Sequence, residues 1–279
     1  MRILSWNIQS TKGCDDVFDS ERIIRDIKAF GELDAICLQE VARYIEPYSN
    51  NDQKKIFEEA FANYHSAWAP GFSRPLDAQR RQEFGNLTLV KHGTLLDQRS
   101  HQLPMPCVRP AIQIPRTLVE TVIRYHDSSI TLLSTHLAYH SALESQQQLD
   151  YLANLKAQIL GHASPLLTPN PEIFDQDAYH SAEKGHHVLL CGDLNVALDS
   201  PSYLQLTQTD GWLDCATLST NKTRQPTCGV HDQALWPEGP HTRDYFLCSA
   251  TLQNLIDTFE VNTETMASDH QPICLTLKD

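Results

Sequence analysis

His186-His187-Val188-Leu189-Leu190-Cys191-Gly192-Asp193-Leu194-Asn195 is the stretch whose reading decides the fold. The apolar run Val188–Cys191 is too short for a helix and reads as a strand buried on both faces. It ends abruptly, delivering an aspartate and, two residues later, an asparagine. A side chain at the end of such a strand is held on a stiff scaffold, so a carboxylate there is placed with precision. The pattern recurs along the chain. Asn7 follows Ile3-Leu4-Ser5-Trp6, Glu40 follows Ala35-Ile36-Cys37-Leu38-Gln39, His136 comes after Ile130–Ser134, and Asp269-His270 precede Ile273-Cys274-Leu275.

Outward from these ends, short strand patterns alternate with helical ones. Arg2–Trp6, Asp34–Leu38, Asn86–Val90, Thr117–Arg124, Ile130–Ser134, Val188–Cys191, Tyr245–Cys248 and Ile273–Leu277 read as strands. Ile23, Ile24, Ile27 and Phe30 recur at helical spacing behind Ser20, which is read as the cap. A second helix is predicted from about Asp52 to Phe61. A third opens on the capping-box pattern Ser141-Ala142-Leu143-Glu144 and runs through Ile159. Pro165 to Gly185 is polar and proline-dotted and reads as a loop. With 279 residues and 41% apolar content, one mixed α/β domain over 1–279 is expected.

The eight cysteines are scattered without a C-x-x-C pair, which argues against a zinc ribbon and for free thiols packed as small hydrophobes. No apolar run approaches the roughly 18 residues that span a bilayer, and the first residues lack a signal-peptide core, so a cytoplasmic protein is expected. The net charge is −13, yet residues 74–124 carry eight Lys/Arg against four Asp/Glu. The overall sign argues against a protein that coats nucleic acid non-specifically, while a local positive rim is allowed.

Carboxylates and an amide without thiolates suit a hard cation, Mg²⁺ or Mn²⁺. Histidines beside them suit phosphate binding, and a carboxylate suits activation of water. Neither G-x-S-x-G nor a P-loop is present. Metal-assisted hydrolysis of a phosphoester fits this inventory best.

Taken in order, Trp6-Asn7-Ile8, Leu38-Gln39-Glu40, Ser134-Thr135-His136-Leu137, Gly192-Asp193-Leu194-Asn195, Arg243-Asp244-Tyr245 and Ser268-Asp269-His270-Gln271-Pro272 resemble the endonuclease/exonuclease/phosphatase superfamily, also called DNase-I-like. The likeness extends from residue 3 to residue 277. It implies a four-layered α/β sandwich, two packed mixed β-sheets flanked by helices. It implies that Glu40 and Asn7 hold the metal with Asp269 nearby, and that Asp193 orients and deprotonates water. Asn195 would contact the phosphate or steady Asp193. His136 and His270 would stabilise the non-bridging oxygens, with Asp244 fixing the tautomer of His270. Glu83, Asn86 and Arg116 are softer candidates for substrate contact, Glu83 at a position where relatives orient the first histidine.

Abasic-site endonucleases of the superfamily carry Tyr-x-Pro-Asn where this chain has Ser134-Thr135-His136-Leu137. That difference points to the histidine-bearing branch of nucleases, sphingomyelinases, inositol-phosphate phosphatases and deadenylases. Arg243 replaces the hydrophobic residue usual before Asp244. The implied activity is a phosphodiesterase, a nuclease first, with a hydrolase of small phosphorylated molecules or lipid head groups as the alternative and an inactive binding domain third. The implied partner is nucleic acid or another phosphoester, with no obligate protein partner. Recognition is assigned to loops 42–52, 68–82, 97–116, 161–186 and 220–242. Trp68, Phe72, Trp236 and Tyr139 either stack on a base or anchor those loops.

Overall fold

A computed structural model describes residues 1–46, 48–106, 114–162, 185–222 and 224–278. Two β-sheets lie face to face between helices. The first contains β1 (Arg2–Asn7), β2 (Ala35–Ile45), β3 (Ser49–Asp52), β4 (Tyr64–Pro75), β5 (Arg81–Lys91), β12 (Ile256–Val261) and β13 (Ile273–Leu277), in the order β12-β13-β1-β2-β5-β4 with β3 beside β2. The second contains β6 (Leu95–Gln102), β7 (Thr117–Tyr125), β8 (Ser128–His136), β9 (His187–Asp193), β10 (Leu213–Asp214) and β11 (Asp244–Cys248), in the order β10-β11-β9-β8-β7-β6. Each sheet is antiparallel except for one central parallel pair: β1 with β2, and β8 with β9. A helix links the strands of each pair, α1 (Ser20–Ala29) in the first and α3 (Ala142–His162) in the second, as a parallel crossover requires.

Period-2 alternation explains why the central strands are apolar throughout. Ile3, Cys37, Leu189 and Cys191 point into the core between the sheets. Their neighbours point outward. Leu4, Ile36 and Leu38 meet Ile23 and Ile27 of α1 and Phe57 of α2 (Gln53–Ala60), whereas Val188 and Leu190 meet Leu149 and Leu152 of α3. Each such side chain contributes roughly 1.5–3 kcal/mol by leaving water. The layers are therefore helix, sheet, sheet, helix, the sandwich expected from sequence.

The expected elements appear with shifted ends, and several others emerge. Asp19, not Ser20, caps α1: its carboxylate accepts from the backbone N–H of Glu21 and Arg22. Ser141 Oγ accepts from Glu144 N at 3.3 Å, as the capping-box pattern predicts. The strand read as Asp34–Leu38 runs to Ile45. Strand β4 falls largely in a segment read as a loop, because Pro70 and Gly71 interrupt its pattern. It survives through an irregular register between Pro70 and Phe72. Residues 163–184, which hold most of the loop expected at Pro165–Gly185, lie outside the described residues, as do Cys107 and Arg109. Among the described residues no helix is long and apolar enough to cross a membrane.

Candidate active site

The two parallel pairs end at the same edge of the sandwich. In register, Asn7 of β1 faces Gln39 of β2, and His136 of β8 faces Asp193 of β9. Asp244 opens β11 directly opposite Asp193. Strand ends buried on both sides thus bring polar side chains from both sheets to one mouth.

Backbone irregularities aim them. The β2–β5 register shifts between Leu38 and Val41, and Glu40 sits inside that bulge with φ +58°. A left-handed conformation at a non-glycine residue costs about 1–3 kcal/mol and persists only where the surroundings demand it. Gly192 has φ +131°, and a Cβ placed on it would lie 1.8 Å from the carbonyl oxygen of Thr135. Only glycine lets β9 approach β8 this closely before the chain turns out at Asp193. Asn195 follows with φ +52°.

Asn7 joins the two halves of the site. Its Nδ2 donates to Glu40 Oε1 at 3.2 Å and to Asp193 Oδ2 at 3.0 Å, while its Oδ1 accepts from Gln9 N. Asp193 Oδ1 accepts from the backbone N–H of Asn195 at 3.0 Å, and the Asn195 amide donates to Leu137 O. Asn195 therefore steadies Asp193 through its main chain. Burial, together with the charge of Asp244, pushes Asp193 up to about 7, against the opposing pull of His270.

The two histidines differ in charge. Burial holds the His136 ring well below its usual range, helped by Arg116 and His270 nearby. Its Nε2 lies 3.3 Å from Asp193 Oδ2 and its Nδ1 3.7 Å from Glu40 Oε1. Burial also acts against the charge on His270, but Asp244, Asp193 and Asp269 outweigh it and raise that ring well above its usual range. His270 Nδ1 donates to Asp244 Oδ2 at 2.8 Å, leaving Nε2 directed at Asp193 from 3.6 Å. The pairing of Asp244 with His270 is the one expected from the motifs.

Glu40 is raised by burial and by the charge of Asp269, and its bond from Asn7 only partly offsets this. Two carboxylates repelling one another, with an amide between the strands, make an oxygen-rich place for a hard cation. Asp193, Asp244 and His270 also bring ligand atoms within 4.8 Å of one another, a set able to hold a metal ion. The raised imidazole of His270 places positive charge within that trio, which opposes a cation there.

Of the softer candidates, Arg116 is where a substrate contact would be useful. It is 5% exposed and shares a narrow cleft with Glu40, Asn86, Thr117 and His136. Its Nε has no hydrogen-bond partner among the described residues, and its guanidinium lies 5.8 Å from the ring of Tyr139. Asn86 spends its Nδ2 on Thr117 O and Oγ1, clamping the two sheets together. Glu83 does not orient the first histidine. It is consumed by Arg43 at 2.5 Å, Ser73 Oγ at 2.5 Å and Trp68 Nε1 at 3.3 Å. Its position follows from the β4–β5 pairing, and it is Glu40 that approaches His136. Trp68, within β4, accordingly ties that strand to β5 through Glu83.

One supporting group carried no sequence signal: Thr227 Oγ1 accepts from Asp244 N at 3.1 Å. Trp6 and Ser268 lie inside sequence motifs, but only the fold reveals what they do. Trp6 Nε1 donates to His270 O at 2.8 Å. Ser268 Oγ donates to Asn7 O and accepts from His270 N.

The two sheets bring carboxylates and histidines to one mouth, a set of groups suited to hydrolysis of phosphate esters. The chain belongs to the Endonuclease/Exonuclease/phosphatase family, whose model matches residues 4–270. It is similar in structure to an endonuclease/exonuclease/phosphatase from Beutenbergia cavernae, with TM-score 0.71 and 19% identity over 100% of this chain and 72% of that one. The mannosyl-6-phosphatase of Bacteroides thetaiotaomicron is likewise similar, with TM-score 0.70 and 13% identity over 100% of both chains. So is the human Nocturnin catalytic domain with bound sulfate anion, with TM-score 0.61 and 17% identity over 99% of this chain and 93% of that one. At these identities the likeness shows the fold. No curated protein matches the chain.

Proposed function

We propose that this enzyme is a divalent-metal-dependent phosphodiesterase, a nuclease acting on DNA or RNA, that cleaves a P–O bond by in-line attack of water. The observation that carries this reading is the Asn7 amide, which touches Glu40 on one side and Asp193 on the other. One amide nitrogen thereby ties the proposed cation ligand to the proposed base. Glu40 and Asp269, with Asn7 beside them, would hold Mg²⁺ or Mn²⁺. The ion, when bound, supplies Lewis-acid polarisation of the phosphoryl and leaving oxygens.

The protein's own groups do the rest. Asp193, made more basic by burial, takes a proton as the water oxygen bonds to phosphorus and the ester P–O bond breaks. Both its oxygens are fixed, by Asn7 and by the Asn195 main chain, so little reorganisation is needed. The His270 imidazolium, oriented by Asp244, and the neutral His136 donate to non-bridging oxygens as charge builds there. The buried Arg116 guanidinium receives a further phosphate oxygen. Tyr139, 62% exposed above it, offers a face for a base. The free thiols of the seven described cysteines fit a reducing, cytoplasmic setting. The whole chain is read as one catalytic unit.

A second reading is a hydrolase of a small phosphorylated molecule. It draws support from arginines on and beside the β4–β5 hairpin that are matched by acids: Arg43 of β2 by Asp52 and Glu83, Arg80 by Asp77, Arg81 by Glu83. Assaying DNA, RNA, bis(p-nitrophenyl) phosphate and inositol phosphates with Mg²⁺ or Mn²⁺ across a salt series separates the two. Binding of a polynucleotide should weaken steeply as salt rises. Turnover confined to small phosphates, with a flat salt response, would sink the nuclease reading.

A further inference from the structure

The loop from Gly229 to Pro240 is closed at its neck and carries one aromatic residue into the site. Cys228 N donates to His241 O at 3.0 Å, and His241 N returns a bond to Cys228 O at 3.1 Å. The neck is tied to the catalytic motif by Gln271 N donating to Thr227 O at 2.6 Å. Gly229 has φ +69°, and a Cβ there would sit 2.8 Å from Gly239 O and 2.9 Å from the Trp236 Cβ. The loop is thus folded tightly on Trp236. The indole is held edge-to-face between two imidazoles, with ring centres 4.8 Å from His241 and 5.7 Å from His270. Its Nε1 donates to Asp269 Oδ2 at 3.2 Å. No motif of the sequence contains this tryptophan.

A bond from a neutral donor to a carboxylate fixes which oxygen faces which way without cancelling its charge. Among the described residues, Asp269 Oδ1 has only the hydroxyl of Ser268, at 3.4 Å, to orient it. Trp236 is thus the firmer of the two restraints on this carboxylate, and it braces the adjacent imidazole as well.

We propose that Trp236 is a positioning residue of the active centre. Its N–H sets the orientation of the Asp269 carboxylate, and its ring holds His270 against Asp244. The proposal rests on the reading of Asp269 as part of the cation site given above. It makes the loop 229–240 a determinant of metal affinity and turnover, beyond any role in binding substrate.

The test uses the whole chain with Trp236→Phe, which removes the N–H and keeps a ring, and Trp236→Ala, which removes both. Mn²⁺ affinity is measured by calorimetry on metal-free protein without substrate, and kcat and KM with bis(p-nitrophenyl) phosphate. For Trp236→Phe the expected result is Mn²⁺ affinity about tenfold weaker, the scale seen when partners of metal ligands are removed. The value of kcat should fall by a similar factor, with KM within about twofold and the thermal midpoint held. Trp236→Ala should lower kcat further through His270. In an Asp269→Asn background the Trp236→Phe effect on Mn²⁺ should vanish, because the two act as a unit. Wild-type Mn²⁺ affinity and kcat in Trp236→Phe would overturn the proposal, even if Trp236→Ala were impaired, since that pattern means packing alone. A wild-type protein that binds Mn²⁺ but hydrolyses no phosphoester would refute the functional reading only, and Mn²⁺ affinity would still decide the role of Trp236. Absence of Mn²⁺ binding to wild type would overturn both.

Discussion

The β1/β2 pair and the β8/β9 pair are the same device used twice. Each is a parallel pair at the centre of an otherwise antiparallel sheet, with a helix on its outer face and its carboxyl ends at the shared mouth. What they carry differs. The first pair ends in an amide and, through the bulge of β2, the carboxylate of Glu40. The second ends in His136 and Asp193, with the His270–Asp244 pair beside them. Equivalent scaffolding thus carries different groups: an amide and a carboxylate on one side, and a carboxylate beside two imidazoles of opposite pKa shift on the other. The sandwich supplies rigidity, and strand ends together with the β2 bulge bring these groups to one mouth.

Removing the base should break the second side most severely. Asp193→Ala should lower kcat by about 10³-fold or more, in the range of lost general-base catalysis and ordered electrostatics, with circular dichroism unchanged. Steady-state assay of the purified variant with bis(p-nitrophenyl) phosphate checks this, and undiminished hydrolysis would refute the assignment. His270→Ala should cost about 10²–10³-fold by the same assay. On the first side, Glu40→Gln should fail differently. Activity at low Mg²⁺ should drop about 10–100-fold, and raising the metal concentration should restore part of it, a rescue that Asp193→Ala should not show.

The turns that aim the two pairs can be compared through stability. Gly192→Ala meets the Thr135 carbonyl and a positive φ, so it should destabilise by roughly 1–3 kcal/mol from backbone strain alone. Gly93→Ala, also at positive φ but with open space around it, should lose less. Urea midpoints of the two variants decide this ranking.

The smallest effect concerns acid. Arg43 binds Asp52 and Glu83. Burial opposes ionisation of both carboxyls, but the arginine and their other donors outweigh it and hold them below their usual ranges. Groups whose pKa is depressed on folding stabilise the protein above their unfolded pKa, and that contribution fades as pH falls through the folded value. Stability from this cluster should therefore be present at neutral pH and fade below about pH 4, near the ordinary carboxylate range. Arg43→Met should make the urea midpoint less sensitive to acid between about pH 5 and pH 3. An unchanged slope would show the cluster to be irrelevant to acid stability.

Doubly buried strands write themselves as apolar runs, and their ends stand out because a carboxylate or histidine there breaks the run. That is why Asn7, Glu40, His136, Asp193 and Asp269-His270 were legible in order along the chain, together with the layered fold their family implies. Glu83 illustrates the limit. Its place near a strand end gave no sign that Arg43, forty residues earlier, would claim it. Strand β4 was hidden by Pro70 and Gly71, whose local preference is overridden by pairing with β5.

Only the tertiary structure decided the charge on each histidine. The two residue types are identical; burial leaves one neutral, whereas Asp244 and Asp193 from distant segments, with the adjacent Asp269, charge the other. Only it brought Trp236 to Asp269, since their separation of 33 positions along the chain is closed by backbone pairing that no pattern of residue types encodes. The sequence by itself determined which groups stand at strand ends, because burial constrains residue type locally. The structure decided their neighbours, because electrostatics and hydrogen bonding act through space.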